Sequence, residues 1–225
     1  MAGIIVKVFY ACLRNDMRVM LRCRSTWIHS LIFFIIFISL FGIALGFDSH
    51  FVKLSPAIIW IAFLVTSLFG IEAFFATERE EGMLEQLILS PHPLWWLICA
   101  KSVAIWIATC LPLILMSPFL GIMMQLSGLE NFILILTLLV GSPALTFVGV
   151  IGAALTLALP RSGVFLGLLL LPLYIPILIL GESALATLLA SEWPDFQIIL
   201  LGAISVLAFT LAPHAASAAL KVAMD

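Results

Sequence analysis

The ionisable side chains between residues 77 and 93 have a spacing that suits contact with another protein rather than catalysis. Thr77 and Glu80 have the form of a capping box, in which a hydroxyl and a carboxylate each accept a backbone amide at a helix start. Gly82 then loosens the chain, and Pro93 closes the segment. The sequence therefore predicts a separate structural element here, rich in charge.

Within that segment a short helix is predicted from Met83 onward, ended by Pro91. One side of it carries Met83, Leu84, Leu87 and Ile88, and the other carries Glu85 and Gln86. Such a helix, lying parallel to a membrane between two spans, can receive force from a separate cytoplasmic protein that its acidic and amide groups face. A solvated loop with ordinary surface charges is the alternative, and the pattern alone leaves it open.

No motif for catalysis or firm cofactor binding occurs in the sequence. A G-x-x-x-x-G-K-[ST] phosphate loop is missing, since Lys101-Ser102 follows Ala100, so any ATP hydrolysis must come from another polypeptide. No CxxC, HExxH or Cys/His cluster has metal-ligand spacing. The histidines that could ligate haem, His50, His92 and His214, are each isolated. We expect no catalytic residue, no metal site and no tightly bound cofactor.

The elements that position these residues must lie in a bilayer, because 64% of the residues are hydrophobic and only 10% are charged. Soluble domains carry about 25% charged residues, so a soluble fold is excluded. The formal net charge of -2 gives no indication of a nucleic-acid partner. The basic N-terminus is not expected to be a cleaved signal peptide, because the apolar run that follows it is long enough to span a bilayer.

Six runs have the ~20 apolar residues that a spanning helix needs. Their predicted limits are 27–46, 56–75, 94–116, 132–154, 162–180 and 197–219. Pro112 and Pro118 are expected to bend or end the helix of the third run, and Pro143 lies inside the helix of the fourth. The predicted organisation is a helix over residues 1–26 and an all-α, six-span domain over residues 27–225, with the coupling segment at 77–93.

The basic residues define the orientation of these spans, since short cytoplasmic connections carry an excess of Lys and Arg. All of them except Lys53 fall at one end of the predicted bundle, together with both chain termini. Asp48, Glu130, Glu182, Glu192 and Asp195 occupy the opposite connections. Both termini are therefore predicted to be cytoplasmic.

The first 26 residues have an amphipathic helical pattern. Its apolar side carries Ile5, Phe9, Cys12, Leu13, Met17 and Met20, and its basic side carries Lys7, Arg14, Arg18 and Arg22. A helix lying on the cytoplasmic membrane surface is predicted. An extended basic anchor that only fixes topology is the alternative.

The centres of all six predicted spans lack ionisable residues, which argues against a proton-coupled carrier. Glu72, Lys101, Glu182 and His214 lie near span ends, where long side chains are expected to reach water. Trp95 and Trp96, at the inner end of the third span, are interpreted as anchors in the aromatic belt.

Several segments in one order resemble a known family. The coupling segment Glu81-Gly-Met-Leu-Glu-Gln-Leu-Ile-Leu-Ser-Pro91 is similar to that of ABC-2 type exporter permeases. The further segments are Pro56-Ala-Ile-Ile-Trp60, Leu111-Pro-Leu-Ile-Leu115 with Ser117-Pro118, Gly141-Ser-Pro-Ala-Leu145 and Leu171-Pro-Leu-Tyr-Ile-Pro-Ile177. Together they resemble the haem exporter B (CcmB) family of bacterial cytochrome c maturation over nearly the whole chain.

The resemblance implies a permease subunit in the bacterial inner membrane, working with a separate dimeric ABC ATPase that binds ATP. Haem is the implied cargo, exported or released with a periplasmic haem chaperone. The other implied partners are a WWD-type haem-handling membrane protein and a small single-span subunit. Pairing of two copies of the chain around a two-fold axis is a further hypothesis.

Residue by residue, the resemblance assigns ATPase coupling to Glu81, Gly82, Met83, Leu84, Glu85, Gln86, Leu87 and Pro91. We expect Glu85 and Gln86 to contact the ATPase, and Met83 and Leu84 to pack in a groove on its surface. Two rival functions remain: an ABC-2 permease for another amphipathic cargo, and a scaffold subunit that transports nothing.

Overall fold

The computed structural model describes residues 2–22, 24–45, 49–80, 92–156 and 162–224. These ranges hold seven helices and no strand, which confirms the predicted all-α class. The helices are α1 (Ala2–Arg22), α2 (Arg24–Leu45), α3 (Ser49–Glu80), α4 (Leu94–Met123), α5 (Gly128–Thr156), α6 (Ser162–Leu189) and α7 (Asp195–Met224).

Five stretches within these helices are long and apolar enough to cross a membrane, which confirms a multi-pass membrane protein. They are Lys53–Glu72, Leu94–Met123, Gly128–Thr156, Phe165–Leu189 and Asp195–Lys221, and they match predicted spans two to six. The predicted first span corresponds to Ile28–Ala44 in α2, a shorter apolar stretch. At ~1.5 Å per residue it covers roughly 25 Å, somewhat less than a hydrocarbon core. A sixth span and the side on which the termini lie stay predictions.

Helix α5 lies at the centre of the bundle, in contact with α3, α4, α6 and α7. Glycines make close packing there possible, because a helix without a Cβ lets a neighbour approach. The fully buried indole of Trp60 in α3 lies against Gly141 of α5 and Gly181 of α6. A Cβ at Gly141 would meet a ring carbon of Trp60 at 2.8 Å, and one at Gly181 would overlap the ring.

Hydrogen bonds tie the neighbouring helices to α5. The Tyr174 hydroxyl of α6 donates to the Leu145 carbonyl at 2.8 Å. The Trp106 indole N–H of α4 donates to the Ser142 hydroxyl at 2.9 Å. Ser205 of α7 donates to the Val140 carbonyl. Since lipid offers no water to polar groups, these contacts both satisfy the side chains and fix the helices around α5.

Three prolines lie inside helices. Helix α4 continues through Pro112 and Pro118, and α5 continues through Pro143 as predicted, because packing in a bundle tolerates the loss of single backbone hydrogen bonds. The predicted capping box at Thr77 and Glu80 is wrong as a helix start, since both residues lie in the last turn of α3.

A capping box is present instead at the start of α5. The Ser127 backbone N–H donates to the Glu130 carboxylate at 2.6 Å, and the Glu130 N–H donates to the Ser127 hydroxyl at 3.4 Å. This arrangement satisfies backbone amides that the first turn of α5 leaves without partners.

Candidate functional site

The predicted coupling helix lies outside the described residues, as do all eight residues assigned to it: Glu81, Gly82, Met83, Leu84, Glu85, Gln86, Leu87 and Pro91. The structure does describe both flanks of this segment. Helix α3 ends at Glu80, and α4 begins at Leu94 after a short connection through His92 and Pro93. The first turns of α4 are therefore the part of the bundle that the coupling segment enters.

Three helices meet at those first turns, and we call this meeting point the α1–α4–α7 junction. Its residues are Phe9 and Asp16 of α1, Trp95, Trp96 and Lys101 of α4, and His214 of α7. Residues far apart in the sequence are thus brought together beside the entry to the coupling segment.

A buried ion pair forms the polar centre of the junction. The Lys101 Nζ atom lies 3.7 Å from a carboxylate oxygen of Asp16, and the two side chains are 5% and 4% exposed. The Cys12 thiol, one turn earlier in α1, donates a 3.7 Å hydrogen bond to the same carboxylate. Removing the Lys101 charge would leave the buried Asp16 carboxylate without this counter-charge, which costs several kcal/mol in general.

Burial dominates the electrostatics of Asp16. It raises the pKa of the carboxyl above its ordinary value, and the nearby charge of Lys101 and the hydrogen bonds only partly oppose that rise. The prediction that Lys101 reaches water is wrong, because α1 packs over this part of α4. Asp16 was missed by the sequence reasoning, although an acidic residue on the apolar side of a basic helix is itself a signal of a buried partner.

Aromatic rings complete the junction on both sides of α4. The ring centroids of Trp96 and Phe9 lie 5.2 Å apart, which joins α4 to α1. The rings of Trp95 and His214 are stacked, with centroids 4.9 Å apart and planes 14° from parallel, which joins α4 to α7. Contacts of this kind contribute about 0.5–1.5 kcal/mol each beyond burial. His214, which has no other candidate ligand near it in the sequence, therefore stacks on Trp95 in the fold. The two tryptophans hold α4 against α1 and α7.

Phe9 also reaches into the bundle. It packs against a small apolar cluster formed by Cys99 of α4, Phe147 of α5 and Ala212 of α7. The predicted N-terminal helix is thus present as α1, and Phe9 on its apolar side packs against three other helices. Its position on the cytoplasmic membrane surface stays a prediction.

Nothing in the described part of the chain forms a metal centre, since no three His, Cys, Asp or Glu residues there are grouped to hold an ion. Of the candidate haem ligands, His214 stacks on Trp95, and its Nδ1 atom lies 3.0 Å from the Thr210 carbonyl. The ion pair and the ring contacts of the junction can couple a movement of α4 to movements of α1 and α7.

Comparison with known proteins covers almost the entire chain. The sequence model of the family described as CcmB protein matches residues 7–223. Heme exporter protein B of Pseudomonas aeruginosa is 41% identical over 218 residues, which are 96% of this chain and 98% of that protein. The protein of the same name from Haemophilus influenzae is 37% identical over 219 residues, 97% of this chain and 99% of that one. That of Escherichia coli K12 is also 37% identical over 219 residues, 97% of this chain and 100% of the relative.

Proposed function

The chain belongs to the CcmB protein family, and from that membership we propose that it is the permease subunit of an ABC transporter complex that exports haem for cytochrome c maturation. The observation that carries the proposal is the match to proteins named heme exporter protein B over nearly their full lengths. This chain supplies no catalytic residue, and ATP is bound and hydrolysed by a separate ATPase subunit.

The coupling segment between α3 and α4 receives the force of that ATPase. Glu85 and Gln86 contact the ATPase, and Met83 and Leu84 pack in a groove on its surface. Two observations support this assignment: the segment leads directly into the first turns of α4, and α4 is fastened there to α1 and α7. A displacement of the segment is therefore passed to several helices together.

The transfer continues toward the centre of the bundle. Trp106 in α4 donates to Ser142 in α5, and α5 contacts every long apolar helix described from α3 to α7. Packed helices of this kind move as units rather than deform continuously, because their side chains interdigitate closely.

The complex contains, besides this chain, a dimeric ATPase, a WWD-type haem-handling membrane protein, a small single-span subunit and a second copy of the chain. The complex lies in the bacterial inner membrane, and both termini of this subunit are cytoplasmic. Its haem cargo goes to a periplasmic haem chaperone. Support for this orientation comes from the distribution of Lys and Arg.

The packing favours energy transfer over conduction of haem between α3, α5 and α6. Trp60 is fully buried and fills that interface against Gly141 and Gly181. In this form of the proposal, the subunit transmits the energy of ATP hydrolysis that releases the haem-loaded chaperone.

Purification of the tagged chain from native membranes in mild detergent tests the proposal, with mass spectrometry of the associated proteins and an absorption spectrum. We expect an ABC ATPase, a tryptophan-rich haem-handling membrane protein and a haem Soret band. An ATPase without haem and without that partner would indicate a permease for another amphipathic cargo, and the absence of any ATPase would indicate a scaffold.

A further inference from the structure

The exposed face of α1 is basic. Lys7, Arg14 and Arg18 follow one another at helical spacing, with Tyr10 between them, and all four side chains are exposed. The same side of α1 also carries Ala11 and Asn15, so that six neighbouring residues form one open surface: Lys7, Tyr10, Ala11, Arg14, Asn15 and Arg18. We call these six residues the α1 basic face. They point away from the contacts that α1 makes with the bundle.

No charge on α1 neutralises this face. The helix contains one acidic residue, Asp16, and that carboxylate is buried against Lys101 on the other side. The ion pair therefore removes the only anion of α1 from its surface. The remaining cations attract any anion that can approach.

The contacts of α1 support a position of this face at the edge of a membrane. Phe9 lies against Trp96 and Asp16 against Lys101, which are residues of the first turns of the apolar helix α4. Tryptophans at the end of a span mark the headgroup layer of a bilayer. Tyr10, 64% exposed among the basic residues, is typical of the same layer.

We propose that the α1 basic face binds the phosphate headgroups of anionic phospholipids, such as phosphatidylglycerol. A lipid surface is favoured over an acidic protein because α1 contacts the end of the apolar helix α4 and because Tyr10 is exposed among the basic residues. Each Lys or Arg near an anionic membrane surface contributes about 1 kcal/mol to such binding. The inference depends only on α1 and the membrane, and it holds for any cargo of the transporter.

The test measures binding of dioctanoyl phosphatidylglycerol to the purified full-length chain in neutral detergent, with dioctanoyl phosphatidylcholine as the uncharged comparison. The wild-type chain is expected to prefer phosphatidylglycerol, and the preference should weaken with added salt. The variant Arg14→Gln with Arg18→Gln should bind it roughly 30-fold more weakly, the effect of two lost contributions of about 1 kcal/mol.

Two control variants keep the result interpretable. Lys53→Gln with Lys221→Gln removes the same charge from other exposed positions and should leave the affinity unchanged. Arg14→Lys with Arg18→Lys keeps the charge and should keep most of the binding. Equal affinity of the wild type for the two lipids would overturn the proposal. So would normal lipid binding by the Gln variant together with loss of a co-purifying protein, which would assign the face to an acidic partner.

Discussion

The Asp16 carboxylate and the Lys101 amine lie 3.7 Å apart in a buried site, although the two residues are 85 positions apart in the sequence. Their contact fastens the first helix of the chain to the helix that follows the coupling segment. Because of this contact, we expect α1 and the first turns of α4 to move together.

Lys101→Met should destabilise the chain by about 3 kcal/mol, because it removes the amine that faces the buried Asp16 carboxylate. The free energy of unfolding in mild detergent measures the effect. The double variant Asp16→Leu with Lys101→Met serves as the control, since an apolar pair of similar volume generally replaces a buried ion pair with little loss. Equal destabilisation by the single and the double variant would contradict a role for charge pairing.

The stability of the wild-type chain should fall as the pH rises above the ordinary Asp pKa of 3.8. Burial raises the pKa of Asp16 in the folded chain, so over that window the folded state retains a proton that the unfolded state has released. The loss is complete once the pH has passed the raised pKa. Asp16→Asn removes the titrating group, so the difference in unfolding free energy between the two chains should change with pH. A constant difference would contradict the raised pKa.

Gly181→Ala should destabilise the bundle by about 1–3 kcal/mol, because the added methyl group overlaps the buried Trp60 ring. Gly202→Ala is the matched control in α7, where the nearest atom is a Val140 methyl carbon 3.7 Å away, and it should be nearly neutral. Adding Trp60→Phe to Gly181→Ala should recover part of the loss. The same thermal denaturation temperature for both glycine variants would show that Trp60 does not fill this interface.

Much of the fold could be predicted from the sequence because membrane spans are recognised by length and apolarity alone. The long apolar stretches of α3 to α7 follow from that rule. Whether Pro112 and Pro118 bend or end α4 did not follow from it, because the effect of a proline depends on the neighbours that support the helix.

The capping boxes illustrate the same limit. Thr77 with Glu80 and Ser127 with Glu130 have identical spacing. Only Ser127 lies in a non-helical connection, between the end of α4 and the start of α5, whereas Thr77 lies inside α3. The ion pair of Asp16 and Lys101 is likewise a tertiary contact between distant residues. Its signal in the sequence was only that Asp16 interrupts the apolar side of α1.

The coupling residues 81–91 lie outside the described part of the chain, so their role rests on the sequence pattern and on family membership. Glu85 is the residue on which the coupling proposal depends most, because a charge reversal there should repel an ATPase surface that binds a carboxylate. Glu192→Lys is a suitable comparison, since it reverses one charge on an exposed residue of the α6–α7 connection.

The most direct test is to express Glu85→Lys and Glu192→Lys in cells that lack the native chain, and to measure ATPase co-purification and the yield of c-type cytochromes. We predict that Glu85→Lys abolishes both while the membrane level of the chain stays normal, and that Glu192→Lys preserves both. Loss of ATPase binding with normal cytochrome yield would contradict the account, because the chain would then be a scaffold whose contact with the ATPase drives nothing.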